Sequence, residues 1–398
     1  MSPWCNNASA VTTVAETDEL FLSQALDLAR QGIGLTSPNP CVGAVIVDAK
    51  STIVGTGSHT YEGLRHAEIL ALEQAGDKAR GGTLYINLEP CSHQGRTGPC
   101  ADAVIAAGIS RLVACMEDPN PLVTGQGFAK LRKAGINVSS GILEQEAKAL
   151  NESFAKYIRH HTPLVTLKAA MTLDGKIAPP PDPKAITARD STRSQWITGE
   201  AARDHVQDLR HQSDAILVGV GTVIADDPLI TDRSSRLRRR PLLRVILDSR
   251  LRLPLESRVV KTAADDVLVL CAAAEERKKK ELMKRGIRVE QLPRATSEGH
   301  PDMAAVVQFL GEMEITTLMI EGGSMVNGAA LASGIVDKVF LYYAPRILGG
   351  TTSIPFAGGA GFPSIGSAAC ITSIRLHHFG EDFAVEGYLR DPYGDSST

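Results

Sequence analysis

The sequence predicts an α/β protein of two consecutive domains, and three features predict it. The chain has 398 residues, a length that suits two or three domains. β-rich runs alternate with helical runs along nearly all of it. A charged helical stretch stops before Pro163, where a fresh apolar run, LVTLKAAMTLDG, begins. The boundary is therefore placed near residue 160, with domains over 18–160 and 161–392.

Local pattern justifies each element. Residues 18–31 put Leu22, Leu26 and Ala29 on one helical face. Runs 41–48 and 53–58 are β-rich, 66–79 is helical, and 83–88 (TLYINL) is a strand. A short helix from Cys100 to Ala107, a strand over 111–117, a helix over 126–134 and a strand over 136–139 follow. Residues 144–161 form the charged helix. The second domain has strands predicted at 164–171, 215–220, 242–248, 267–271, 287–292, 316–320 and 338–343, with helices between most of them. Two last runs, 371–377 and 383–389, read as a hairpin.

Composition narrows the function. A formal net charge of −3 argues against a dedicated nucleic-acid binder, which carries a basic stripe. It leaves room for a small phosphorylated substrate, which needs one or two local cations. No apolar run is long enough for a transmembrane helix, so no membrane partner is expected. The first residues lack a basic segment followed by an apolar one, so no secretory signal is expected either. Seven scattered cysteines do not read as a disulfide framework, and a reducing cytoplasm is the expected location. Arg236, Arg238, Arg239 and Arg240 read as a solvated surface loop.

One group of residues carries chemistry. His66, Ala67 and Glu68 open a predicted helix; Cys91 follows a strand, and Cys100 begins another helix. One imidazole and two thiolates make a three-ligand zinc set, and three ligands leave a fourth position for water, as at a catalytic zinc. Glu68 can take a proton from that water and pass it to a leaving amine. Both cysteines are expected at helix N-termini, whose positive pole favours thiolate. Singly, each residue fits an inert core position as well; together with Glu68 they match the signature of zinc nucleobase deaminases. Cys41 and Cys115, inside strands, read as core packing. Eight residues, not two, separate Cys91 from Cys100.

That insert, SHQGRTGP, lies beside PNPCVGAVIV (38–47), HTYEGLRHAE (59–68) and DPNPLVTGQG (118–127). With these motifs the chain closely resembles the bifunctional riboflavin-biosynthesis deaminase/reductases. The resemblance implies a cytidine-deaminase-like three-layer α/β/α domain, one zinc ion per chain and a phosphoribosylated diaminopyrimidine substrate. By position, Asn39, His59, His93 and Arg96 match the family's pyrimidine and phosphate contacts. Gly98 stands where the family usually has proline.

The second half lacks a Rossmann G-x-G-x-x-G after a strand. Instead a predicted strand runs into Glu321-Gly322-Gly323-Ser324 and then a helix, a glycine turn that lets backbone N–H groups approach a phosphate. Runs 167–178, 194–199, 214–231 and 320–328 resemble the reductase half of the same family, which implies a dihydrofolate-reductase-like α/β fold using NADPH. Ala169, Trp196, Thr222, Asp226, Ser249, Gly323 and Ser324 then match cofactor contacts. Ser194, Arg210, Arg233 and Glu321 match substrate contacts, the two arginines as phosphate clamps. Trp196 also fits a core aromatic, and Asp226 a helix cap. The resemblance implies two consecutive reactions: deamination of the pyrimidine, then NADPH-dependent reduction of the ribosyl group. Oligomeric state stays open, a homo-oligomer included.

Overall fold

The computed structural model describes residues 14–63, 65–93, 98–180, 196–294 and 299–394. The chain divides into two compact units, Met1–Asn151 and Glu152–Thr398.

The first unit contains α1 (Val14–Arg30), β1 (Gly43–Val47), β2 (Ile53–Ser58), α2 (Ala67–Ala75), β3 (Thr83–Leu88), α3 (Cys100–Ala106), β4 (Arg111–Met116), α4 (Gln126–Lys133) and β5 (Asn137–Ser140). The strands form one sheet in the order β2-β1-β3-β4-β5. β1 is antiparallel to both its neighbours, while β3, β4 and β5 run parallel. Because side chains alternate across a strand, both faces of β1 are buried. Ala44 and Ile46 join Ala67, Ala71, Val104, Phe128 and Leu131 in a core shared with α2, α3 and α4. Gly43 faces the opposite side, where any Cβ would meet the backbone of α1. Phe21 of α1 packs there on Tyr85, and Asp18 takes Tyr85 Oη and a two-pronged contact from Arg111. This is the three-layer α/β/α arrangement that the motifs implied.

The helix α5 (Glu144–His160) is kinked at Asn151, and the division between units falls inside it. Asn151 serves the first unit, accepting from the Cys41 N–H and donating to the Cys41 carbonyl. Glu152 serves the second, pairing with Lys338 at 2.8 Å. The compact units thus separate upstream of the break at Pro163, because the charged helix has obligations to both.

In the second unit, β6 (Leu164–Thr172) and β7 (Lys176–Ala178) precede α6 (Glu200–Gln212), β8 (Ala215–Gly219), α7 (Val220–Asp226), β9 (Leu243–Leu247) and α8 (Arg258–Lys261). Then come β10 (Val267–Cys271), α9 (Glu276–Met283), β11 (Ile287–Gln291), α10 (Met303–Glu312), β12 (Thr317–Ile320), α11 (Ser324–Ala332), β13 (Lys338–Ala344), β14 (Ile354–Pro355), β15 (Thr372–Phe379) and β16 (Asp382–Tyr388). Nine strands make one sheet, β11-β10-β9-β8-β12-β6-β13-β16-β15. From β11 to β13 neighbours are parallel; β16 and β15 close the edge as the expected antiparallel hairpin. Parallel strands are covered on both faces and read as continuous apolar runs. β8 shows why: Ala215 and Leu217 enter a core with α10 and α11, and Ile216 and Val218 enter another with α7, α8 and α9. β7 and β14 pair as a short ribbon that the sequence pattern did not reveal.

No helix among the described residues is long and apolar enough to cross a membrane.

Candidate active sites

In the first unit, three chain segments end at one point. His66 is the residue before α2, Cys100 is the first residue of α3, and Cys91 lies three residues beyond β3. Their donor atoms all lie within 4.8 Å of one another. His66 Nδ1 is 3.1 Å from Cys100 Sγ and 3.6 Å from Cys91 Sγ. Zinc bonds of roughly 2.0–2.3 Å in a tetrahedron put donors about 3.5–3.8 Å apart, so the set fits this ion in both chemistry and spacing. One expectation is corrected: no helix begins at Cys91. The α3 terminus reaches it from outside instead, the Cys100 N–H donating to Cys91 Sγ at 3.3 Å. The bond from the Cys100 thiol, then His66 and this backbone donor, bring the Cys91 thiol down to about 4 against the opposing effect of burial. Cys100 is pushed up in turn by its bond to Cys91 and by burial, so one sulfur keeps a proton that the other gives up.

Glu68, in the first turn of α2, is 3% exposed. Burial pushes its carboxyl up to about 7, against the pull of His66, and the side chain bonds to Cys100. A buried acid poised near neutrality beside a metal set is what proton transfer requires.

Asn39 and His59 also meet there. Asn39 Nδ2 lies 3.1 Å from His59 Nε2, and His59 Nδ1 lies 2.9 Å from the Arg65 carbonyl. Burial lowers the His59 pKa and favours the neutral ring, with Nδ1–H donating to Arg65 and Nε2 accepting from Asn39. The ring stands edge-on to His66 at 5.4 Å. His93 is exposed, close enough to Asp118 to favour its charged form, and Arg96 lies outside the described residues. Gly98 borders open space, with no atom within 4 Å of where a Cβ would stand, so a proline there meets no obstacle from neighbouring atoms.

Two acids had no role in the sequence reading. Glu89 is buried and accepts three backbone N–H groups, from Asp118 (3.0 Å), Gly125 (2.9 Å) and Phe128 (3.1 Å). It ties the DPNP loop to the segment that leads from β3 to Cys91. Burial pushes Asp118 up to about 6, and the neighbouring Glu89 adds to the rise. Asp118 opens the quoted motif DPNPLVTGQG, and Glu89 directly follows the predicted strand 83–88, which was the available signal.

In the second unit, candidate residues collect at the C-terminal edge of the parallel strands, where open α/β sheets bind ligands. Ser249 follows β9, Thr222 lies in the first turn of α7 after β8, and Glu321, Gly323 and Ser324 follow β12. Ala169 lies on β6 beyond the end of β12, since Ile320 pairs with Leu167. A Cβ built on Gly323 would sit 3.2 Å from Thr222 Oγ1, so the turns after β8 and β12 are adjacent. Ser249 Oγ lies 2.9 Å from His300 Nδ1. Trp196 is 62% exposed, which removes the core reading; the Arg203 guanidinium lies 5.0 Å over its ring, and Arg346 donates to its carbonyl. Asp226 ends α7 rather than capping its start. Neighbouring backbone N–H groups, small side chains and an exposed indole suit a dinucleotide. Ser194 lies outside the described residues.

Arg210 and Glu321, both expected at the substrate, form a largely buried pair at 2.5 Å. Arg210 also donates to the Thr231 carbonyl. Lys168 of β6 joins them, 3.6 Å from Glu321 and 5.7 Å from the Tyr342 ring. Burial opposes the Glu321 charge, but Lys168 and Arg210 hold its pKa below the usual carboxylate range. Burial likewise lowers Lys168. The Arg210 fork is therefore engaged already. Arg233 is the exposed guanidinium of the two, and among the described residues only its backbone N–H is held, by Gln207. Sequence reasoning missed Lys168; a lone cation in the apolar run LVTLKAAM was the signal.

Comparison with known proteins places each unit in a known family. The cytidine and deoxycytidylate deaminase zinc-binding region matches residues 15–116, and the RibD C-terminal domain matches residues 163–385. The riboflavin biosynthesis protein RibD of Aquifex aeolicus is 41% identical, over 94% of this chain and 98% of its own length. That of Escherichia coli is 39% identical, over 92% and 97%. Among solved structures, Acinetobacter baumannii RibD superposes with a TM-score of 0.78 at 34% identity, over 94% of this chain and 99% of that one. A diaminohydroxyphosphoribosylaminopyrimidine deaminase/5-amino-6-(5-phosphoribosylamino)uracil reductase from Thermotoga maritima gives 0.78 at 33% identity, with the same coverage. One unit matching a deaminase zinc-binding region, the other the RibD C-terminal domain, and RibD relatives aligned over nearly the whole chain leave one conclusion: the chain belongs to the RibD family, the bifunctional deaminase/reductases of riboflavin biosynthesis.

Proposed function

We propose that His66, Cys91 and Cys100 hold one zinc ion per chain, and that Glu68 moves the protons of deamination. The deaminase domain spans 18–160 and the reductase domain 161–392. The reaction begins with 2,5-diamino-6-(5-phosphoribosylamino)pyrimidin-4-one and gives 5-amino-6-(5-phosphoribosylamino)uracil, then 5-amino-6-(5-phosphoribitylamino)uracil. Zinc, when bound, supplies the Lewis acidity that makes water a nucleophile near neutral pH. Glu68 accepts the proton of the attacking water and delivers one to the departing amine; its burial keeps its affinity for the proton matched to both transfers. Asn39 and His59, which meet beside His66, together with His93 and Arg96, serve as the pyrimidine and phosphate contacts of the substrate. The observation that carries this reading is the convergence of three zinc-type donors within 4.8 Å, with the buried Glu68 bonded to one of them.

In the reductase, NADPH supplies the hydride that opens the ribosyl group at C1′. Ala169, Trp196, Thr222, Asp226, Ser249, Gly323 and Ser324 bind it, the glycine turn offering backbone N–H groups to phosphate. Ser194, Arg210, Arg233 and Glu321 contact the substrate. Arg233 supplies the free cation for its phosphate, while Arg210 and Lys168 keep Glu321 ionised and fixed. The chain acts in the cytoplasm on a small phosphorylated pyrimidine, without nucleic acid or membrane. Metal analysis of active protein tests the zinc assignment: one equivalent per chain is expected, and activity without stoichiometric metal would contradict it.

A further inference from the structure

The arginine run at 236–240 is not the solvated loop that its composition suggests. Arg238 is only 13% exposed, and all three guanidinium nitrogens are used. Nη1 donates to the carbonyls of Arg210 (3.1 Å) and His211 (3.0 Å) and to Asp232 Oδ2 (3.0 Å). Nη2 donates to the Ser213 carbonyl at 2.5 Å, and Nε to that of Arg240 at 3.3 Å. Three of these acceptors are carbonyls at the end of α6, where the negative pole of the helix lies. Of the other two, Asp232 immediately precedes Arg233 and the Arg240 carbonyl lies in the arginine run itself.

Other bonds join the same two segments. His211 Nδ1 lies 3.1 Å from Asp232 Oδ2, the Arg233 N–H donates to Gln207, and Arg210 donates to the Thr231 carbonyl. Segment 231–234 is thus bolted along the last turns of α6, and Arg238 spans the joint. Only a guanidinium has enough donors in a fixed fork to do this; a lysine has three on a single atom. Arg233 itself makes no ion pair among the described residues, so where its cation can reach is set by the backbone beneath it.

We propose that Arg238 is a positioning residue of the reductase. It ties the segment that carries Arg233 to the end of α6, and so holds Arg233 where it meets the phosphate of the substrate. This rests on the assignment of Arg233 to that phosphate. A guanidinium fixed at its base before binding loses less freedom on binding, and the gain appears in affinity rather than in turnover.

The test uses the full-length enzyme with NADPH. Reduction of 5-amino-6-(5-phosphoribosylamino)uracil and of its dephosphorylated analogue is measured for Arg238→Gln, Asp232→Asn and Arg233→Ala. Arg238→Gln and Asp232→Asn are expected to raise KM for the phosphorylated compound about tenfold, with kcat changed less than about twofold. Their efficiency on the dephosphorylated analogue and their ammonia release should match the parent enzyme. Unchanged KM in both variants overturns the proposal, as does an equal fall on both compounds, which marks a merely structural role. If Arg238→Gln does not fold, Asp232→Asn decides, because it leaves the helix-end contacts in place. Loss of phosphate preference in Arg233→Ala alone overturns the positioning role and keeps the phosphate assignment. Full phosphate preference in Arg233→Ala overturns both.

Discussion

Replacing Arg210 by alanine should damage the second unit in a way that replacing Arg233 does not, although both are assigned to substrate. Arg210 is 15% exposed and Glu321 10%, and their 2.5 Å contact is joined by a bond to the Thr231 carbonyl. Removing the arginine leaves a buried carboxylate with Lys168 alone, at 3.6 Å. Breaking one partner of a buried pair costs about 3–5 kcal/mol. For a unit of this size each kcal/mol lowers Tm by about 2–4 °C, so a fall of roughly 6–20 °C is expected in the transition of the reductase unit. Arg233 is exposed and its side chain holds nothing among the described residues, so Arg233→Ala should stay within about 0.5 kcal/mol of the parent. Calorimetry, with reductase and ammonia-release assays on each variant, separates the cases. Arg210→Ala should lose stability and reduction while releasing ammonia normally; Arg233→Ala should lose only affinity for the phosphorylated substrate. A transition in Arg210→Ala within about 1 °C of the parent would refute the reasoning, because the pair would then not be a structural commitment.

Three other outcomes follow from the geometry. Glu89→Gln keeps the shape but sets an amide donor against at least one of three backbone donors, losing about 1.5–3 kcal/mol and loosening the 118–125 loop; thermal unfolding and hydrogen exchange of that loop should show it. Cys100→Ser should lower zinc occupancy and abolish ammonia release while NADPH oxidation of supplied intermediate continues, which metal analysis beside both assays would reveal. Asp232 is held near 2: burial opposes its charge, but Ser234, His211 and Arg238 outweigh it. Its folded pKa lies below the unfolded one, so its contribution is complete above about pH 4 and fades as pH falls toward 2. The gap in Tm between the parent and Asp232→Asn should therefore narrow across that window.

What the sequence made legible follows from how far apart the cooperating residues lie. Periodicity located β8 and β10 because each is several residues long and buried throughout, and it located the closing hairpin from two runs of seven or eight residues although β15 is largely exposed. The ribbon β7–β14 has three and two residues, too few for any period to register. His66, Glu68, Cys91 and Cys100 stood out because each sits in a dense local motif, and the fold brings three of them to one point. The source of the thiolate bias at Cys91 was not legible, because the donor comes from a helix that starts nine residues later. Lys168, Arg210 and Glu321 meet from three elements, and nothing in a linear reading says that an arginine in a helix will neutralise an acid 111 residues on. Arg238 was misjudged for the same reason: four of its acceptors lie on a helix end and a loop that only the fold brings around it.

The central claim is that one chain deaminates and then reduces, with Glu68 serving only the first step. The most direct measurement follows ammonia release and NADPH oxidation together in the Glu68→Gln enzyme, started first from the diaminopyrimidine phosphoribosyl substrate and then from its deaminated product. From the diamino compound, ammonia release should fall by about two to four orders of magnitude and NADPH oxidation should fall with it. From the deaminated compound, NADPH oxidation should proceed at the parent rate. Near-normal ammonia release, or loss of reduction from the deaminated compound in a folded and zinc-loaded variant, would contradict the assignment of Glu68 and the independence of the two sites.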